Sequence, residues 1–265
     1  LYQDYGDLFK KSKTKNPKEV IFLMPASDEY NVYNLWPPVV GGTPPRNAGG
    51  WANNSGSWEL FAAYPCTDGL HIDESPLFDP NNPFENRDPR LSETMVPFGE
   101  VHCGYVFQPH PDSTETLNVN TGEYVRNEDT RSVQQYTSYT GLLWKKGVDE
   151  FWCNNVNRNI NDLIIMRYAD VLLMYAEAKI ELGDIDQSVL DAINKVRARA
   201  YELEYTETSA YPAITTTDQV ELRRKLRQER RIELAYEGRR YMDIIRWGLA
   251  EKVLNNIKKS IEVAK

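Results

Sequence analysis

The chain has 265 residues, 41% of them hydrophobic, and a formal net charge of −8. That length is enough to bury a full core. An acidic balance of this size excludes a general binder of nucleic acid or anionic membrane, both of which need a positive footprint. The longest apolar runs, such as "VLLMYA", are far too short to span a bilayer, and three Cys without a C-x-x-C pair make a poor disulfide framework and a poor zinc site.

Charge and punctuation are unevenly spread. All but one of the 15 Pro, all but three of the 15 Gly and five of the six Trp fall before residue 161. Residues 1–160 therefore read as a loop-rich, aromatic, acidic region, and residues 161–265 as a neutral helical one, within what is expected to be one integrated fold. In chain order, "DYGDLFKKSK" reads as the end of a helix. "EVIFLMPA" is a short β-type run closed by Pro25. From Ser27 to Ser57, Gly-Gly and Pro-Pro pairs break any regular element, which predicts a long surface excursion. Its Tyr and Trp residues argue against disorder, and ordered loops of such length are usually functional. "SWELFAAY" predicts a short helix and residues 66–91 are turn-dense. "ETMVPFG", "YVFQ" and "QQYTSYTGLLWKK" alternate as short strands or a small hairpin.

From Asn161 the period becomes helical. "NDLIIMRYADVLLMYAEAKIELG" predicts one helix with Ile165, Leu172, Tyr175 and Leu182 along its inner side and Gly183 as its stop. A second helix follows, capped by Asp186 and packed through Val189, Ile193 and Val196, so an antiparallel hairpin of tetratricopeptide type is expected. A long helix is then predicted from Asp218 through "RRIELAYEGRRYMDIIRWG". On a wheel of about 100° per residue, Glu229, Glu233, Glu237 and Arg240 fall among Leu222, Leu226, Tyr236, Ile244 and Trp247 and not opposite them. A solvated charge run is thereby rejected. Carboxylates one turn apart repel and need partners, and Arg230, Arg240, Arg167 and Arg197 are the candidates because the guanidinium fork binds carboxylates bidentately. Paired Glu at roughly 5–5.5 or 6.5–9.5 Å would also suit a glycoside hydrolase. The apolar cover over that face favours a structural ion-pair network.

The combination "MRYADVLLMYAEAKIELG", "DAINKVRARA" and "LRQERRIELAYEGRRYMDIIRWG", preceded in order by "ELFAAYPCTDG" and "ENRDPRL", resembles the SusD/RagB family over nearly the whole chain. The resemblance implies a mainly α, SusD-like fold. It further implies a non-catalytic lipoprotein on the outer face of the outer membrane, which captures oligosaccharide, or in some cases peptide, for a partner TonB-dependent (SusC-like) transporter. The family's N-terminal part, with its lipoprotein signal and anchoring Cys, has no counterpart in this sequence, nor does its closing segment, so a fragment of a longer, lipid-anchored chain is expected. Glycoside hydrolase and protein-binding scaffold remain the alternatives.

Sugar rings stack their C–H faces on aromatic planes, so Tyr33, Trp36, Trp51, Trp58 and Trp144 are the expected ligand platforms. Arg46, Asn53 and Asn54 are the expected partners of the hydroxyls. The competing reading is that each Trp packs a region poor in other core residues; Trp51 and Trp58, which flank a stretch resembling a common family pattern, lean to that packing role, and Trp36 and Tyr33 lean to the ligand. Arg87 and Asp88 of "NRDPRL" read as turn-fixing ion pairs. His71, His102, His110, Cys66 and Cys103 match no zinc spacing, so no metal and no cofactor is expected. The acidic stretch 68–86 leaves structural calcium open but lacks the EF-hand layout. The phosphate-loop, G-x-S-x-G and H-E-x-x-H patterns are all absent.

Overall fold

The computed structural model describes residues 1–14, 17–34 and 42–254. Two strands that lie far apart in the chain, β1 (Val20–Met24) and β6 (Leu163–Arg167), pair antiparallel. A meander of β2 (Val101–His102), β3 (Tyr105–Val106), β4 (Glu115–Asn118) and β5 (Glu123–Arg126) forms the second sheet. The helices are α1 (Trp58–Ala63), α2 (Arg90–Thr94), α3 (Glu150–Asn154), α4 (Tyr168–Leu182), α5 (Gln187–Ala200), α6 (Gln219–Glu233) and α7 (Arg240–Arg246). The mainly α architecture expected from the sequence is present.

Helices α4, α5 and α6 form one core. Val189, Ile193 and Val196 of α5 and Leu222 of α6 are 0% exposed, and each fully buried side chain of this size contributes about 1.5–3 kcal/mol. Asp186 caps α5 as expected, accepting from the Ser188 amide, and Gly183 ends α4. A second core gathers Phe61, Tyr64, Leu91, Met95, Leu142 and Trp144 around Ile232 of α6. Helix α6 thus touches both cores, joining the loop-rich region to the helical one.

Several expectations are corrected. The stretch from Asn161 does not open as helix. Its Leu-Ile-Ile-Met run is rich in β-branched residues and is drawn into β6 by β1, a partner more than 130 residues earlier. Ile165 therefore lies outside α4, and Tyr175 and Leu182 are exposed at 44% and 81%. The inner side of α4 is Ala169, Leu172, Leu173, Ala176 and Ile180 instead. The long final helix breaks after Glu233, through a turn with Tyr236 at φ 65° and Gly238 at φ 74°, and resumes as α7. "DYGDLFKKSK" forms only one 3-10 turn, Asp7–Phe9. "ETMVPFG" enters as the end of α2, and "QQYTSYTGLLWKK" makes only isolated bridges, Ser55 to Leu143 and Met95 to Trp144. The β4–β5 hairpin was missed in the sequence, although "ETLNVNTGEYVR" alternates around a turn at Asn-Thr-Gly. Cys103 and Cys153 form a disulfide, leaving Cys66 buried and free. Counting cysteines missed this pair because their 50-residue separation gives no local signal.

Candidate functional site

The charged face of α6 is an internal network. Glu229 and Glu233 are 0% exposed. Arg90 donates to Glu229 at 2.6 Å, to Glu233 at 2.8 Å and to Asp88 at 2.7 Å. Arg197 donates to the other Glu229 oxygen at 3.0 Å. Arg167 binds Glu233 at 2.6 Å, Glu19 at 2.8 Å and both oxygens of Glu237 at 2.7 Å. Arg199 pairs with Glu233 and Glu19, and Lys146 with Glu237 at 2.7 Å. Five acids, Glu19, Asp88, Glu229, Glu233 and Glu237, thus face five cations. Burial alone would push the Glu233 carboxyl up, but Arg199, Arg167 and Arg90 outweigh it and hold it well below the ordinary range. Burial likewise presses on Lys146 and brings its ammonium down to about 8 despite Glu237.

Of the four Arg read from the sequence as partners of the Glu, Arg167 and Arg197 serve. Arg230 turns instead to Asp170 at 2.9 Å and Asp243 at 3.2 Å. Arg240 falls beyond the helix break and does not join these Glu pairs; the acid bearing on it is Asp243. Sequence reasoning missed Glu19, Arg90, Lys146 and Arg199, which come from other elements, although "VRARA" and "NRDPRL" carried two of them. Arg87 does not pair with Asp88. It donates to the carbonyls of Phe61, Tyr64 and Pro83 at 2.7–2.8 Å, while Asp88 binds Arg90.

The carbonyls that α6 leaves open at its C-terminal end are met by side chains. Tyr64 donates to Ile232 O at 3.1 Å, Tyr5 and Arg167 to Glu233 O at 2.9 Å, and Lys146 to Ala235 O at 2.8 Å. The helix can therefore end inside the molecule without an unpaired terminus.

Beside this scaffold, the 42–58 loop lies against the 126–143 segment. The buried Asp129 carboxylate accepts from the Arg46 amide at 2.7 Å and the Asn47 amide at 3.2 Å. Asn47 answers by donating to Arg126 O and accepting from Glu128 N. Burial raises the Asp129 carboxyl to about 6, against the pull of those two amides. At the far end Ser55 meets Ser138 at 2.8 Å, and Trp58 Nε1 donates to Thr140 O at 3.1 Å. Gly50 is required where it stands, because a Cβ would lie 2.1 Å from Pro44 O.

On this framework Trp51 is 46% and Trp58 48% exposed. Arg46 and Asn54 are half-buried and Asn53 is exposed. The amides of Asn53 and Asn54 both donate to Gly42 O at 3.0 Å. Tyr33 belongs to a different turn, where its hydroxyl donates to Asp28 at 3.1 Å and accepts from Arg158 at 3.1 Å. Trp36 lies outside the described residues. Trp144 is corrected: it is 7% exposed and stacks on Tyr236 with ring centres 4.1 Å apart, so it packs the core and offers no platform. Two aromatic residues went unnoticed in the sequence. Tyr136 and Tyr139 are 62% and 69% exposed, and the Arg131 guanidinium lies 3.9 Å from the Tyr139 ring centre. The signal was "QQYTSYT", masked by its strand-like alternation.

Among the described residues no group of three or more His, Cys, Asp or Glu is placed to hold a metal. Asp68 and Asp79 of the acidic stretch are engaged with Ser75 at 2.6 Å and Asn82 at 2.8 Å. No helix among the described residues is long and apolar enough to cross a membrane.

An α-rich scaffold locked by buried ion pairs, with half-exposed aromatics on a pinned loop, is the class of protein these features define. The chain belongs to the SusD family, whose family model matches residues 18–264. A SusD-like carbohydrate binding protein from Bacteroides fragilis superimposes with a TM-score of 0.77 and 31% identity, over 96% of this chain and 46% of that one. A second SusD-like protein from the same species has a TM-score of 0.63 and 26% identity, over 92% and 46% of the two chains. In sequence, SusD-like protein P38 of Formosa agariphila is 31% identical over 58% of this chain and 29% of its own length. The chain thus spans less than half of these relatives.

Proposed function

We propose that this chain is part of a non-catalytic, cell-surface glycan-binding protein that captures oligosaccharide for a TonB-dependent outer-membrane transporter. The observation that carries the reading is the pair Trp51 and Trp58, about half exposed on the loop and on the first residue of α1, in a stretch tied to the 126–143 segment through the Arg46 amide and the Trp58 indole. Rigid aromatic planes stack sugar C–H faces with little ordering cost, and Arg46 and Asn53 stand beside them for hydroxyls. The likeness to a carbohydrate binding protein of Bacteroides fragilis supports the ligand class. The Cys103–Cys153 disulfide supports a place outside the cytosol, where such bonds persist. The transporter and the lipid anchor rest on family resemblance.

The hydrolase alternative finds no support in the signature helix. Every carboxylate oxygen of Glu229, Glu233 and Glu237 accepts from an Arg or Lys, leaving none to protonate a leaving group. Affinity gels containing starch, xylan, pectin, mannan or alginate test the reading. Retention by at least one, lost in the Trp51→Ala/Trp58→Ala double variant and without release of reducing sugar, is expected. Sugar release, or undiminished retention by the variant, would overturn it.

A further inference from the structure

The break in the signature helix has a counterpart in the ligand loop. A continued α-helix needs φ near −63°, yet Tyr236 stands at φ 65°, a conformation unfavourable for a bulky L-residue. Such outliers persist only where their surroundings hold them, and they cluster at sites of function. Three contacts hold Tyr236. Its ring stacks on Trp144. Its hydroxyl lies 3.1 Å from Thr43 Oγ1, and Asn54 also bears on that hydroxyl. Thr43 Oγ1 in turn accepts from Asn54 Nδ2 at 3.1 Å. Thr43 is 0% exposed, and both hydrogen bonds are part-buried.

Thr43 and Asn54 are near the two ends of the stretch that carries Arg46, Trp51 and Asn53. One hydroxyl of the scaffold therefore closes the base of the loop, while Asp129 holds its middle. We infer that Tyr236 is a positioning residue for the Trp51 platform, and that the strained turn after α6 serves to set its hydroxyl between Thr43 and Asn54. The inference rests on Trp51 as a ligand platform. It gives the turn a task beyond ending a helix, since the ion pairs of Glu233 and Glu237 do not involve the Tyr236 hydroxyl.

The test uses the full chain labelled with 5-fluorotryptophan, with the Trp51 fluorine resonance assigned by its loss in Trp51→Phe. Tyr236→Phe keeps the ring, its stacking and the backbone strain and deletes only the hydroxyl; Thr43→Val deletes the same contact from the loop side. Each is expected to shift or broaden the Trp51 resonance while the Trp247 resonance stays in place. Each should also weaken retention in the polysaccharide gel that retains the wild type by about fivefold, the scale of one net hydrogen bond. The double variant should be no worse than either single one. An unchanged Trp51 resonance, or additive losses in the double variant, would overturn the inference. Trp51→Ala run beside them separates the two readings: if it retains full binding the platform assignment fails, whereas the fluorine spectra still decide whether Tyr236 orders the loop.

Discussion

Glu233 shows at the scale of one residue why the acids of the signature sit among apolar side chains. Its carboxylate meets Arg90, Arg167 and Arg199 out of water. Removing one member of such a set leaves buried charge uncompensated, which typically costs about 3–5 kcal/mol. Glu233→Ala is therefore expected to lose stability on that scale in urea unfolding; a loss below about 1 kcal/mol would show that the network is not fully formed. Lys146 carries a pH signature. Its folded-state value is about 8, below the unfolded value of about 10.4. A depressed lysine contributes stability that is present above the unfolded value and lost as pH falls through the folded one. Melting curves between pH 8 and 10 should thus rise more steeply for wild type than for Lys146→Met, and parallel curves would refute the assignment. Asp129 has the opposite sign: its carboxyl is raised to about 6, so its contribution is present below about 3.9 and lost as pH rises through 6. The sequence marked Glu233 as inward-facing through its wheel position. It could not mark Lys146 or Glu19, whose roles depend on which distant strands and turns close over α6.

At the scale of elements, legibility followed the range of the forces involved. Helix α5 was read with its cap and inner stripe, because Asp186, Val189, Ile193 and Val196 are all local signals. Strand β6 was missed because its partner β1 is remote, and the break after α6 was missed because side chains from four other segments meet its last carbonyls. Loop geometry depends on such contacts most of all. Gly50→Ala would bring a methyl group against Pro44 O and force the turn below Trp51 to move. A stability loss of about 1–3 kcal/mol is expected, with disturbed exchange at the Arg46 and Asn47 amides in a hydrogen-exchange measurement. Unaltered exchange would mean the turn is free to adjust.

Across the whole molecule, α6 joins the two compositional regimes that the sequence displays, while the disulfide ties together two segments within the first of them. Closing a 50-residue separation is worth about 4 kcal/mol in the chain-entropy account, so Cys103→Ser should lower the melting temperature under oxidising conditions and make it insensitive to reductant. A melting temperature equal to that of the wild type would show the bond to be absent in solution. Of the candidate site, the aromatic excursion was legible from composition, but the exposure of Trp51 and Trp58 was not, since their place beside a family-like stretch read as packing. That Trp144 faces the core, and that Tyr136 and Tyr139 stand exposed, depends on packing that no local pattern encodes. The proposed division of labour has the loops bind glycan and the signature helix only support them. Calorimetric titration with the retained glycan, beside thermal melting, tests it most directly. The Trp51→Ala/Trp58→Ala variant should lose binding while melting only slightly below the wild type, whereas Glu233→Gln should melt well below it and keep the wild-type affinity per folded molecule. Binding retained by the first variant and lost by the second would contradict this division.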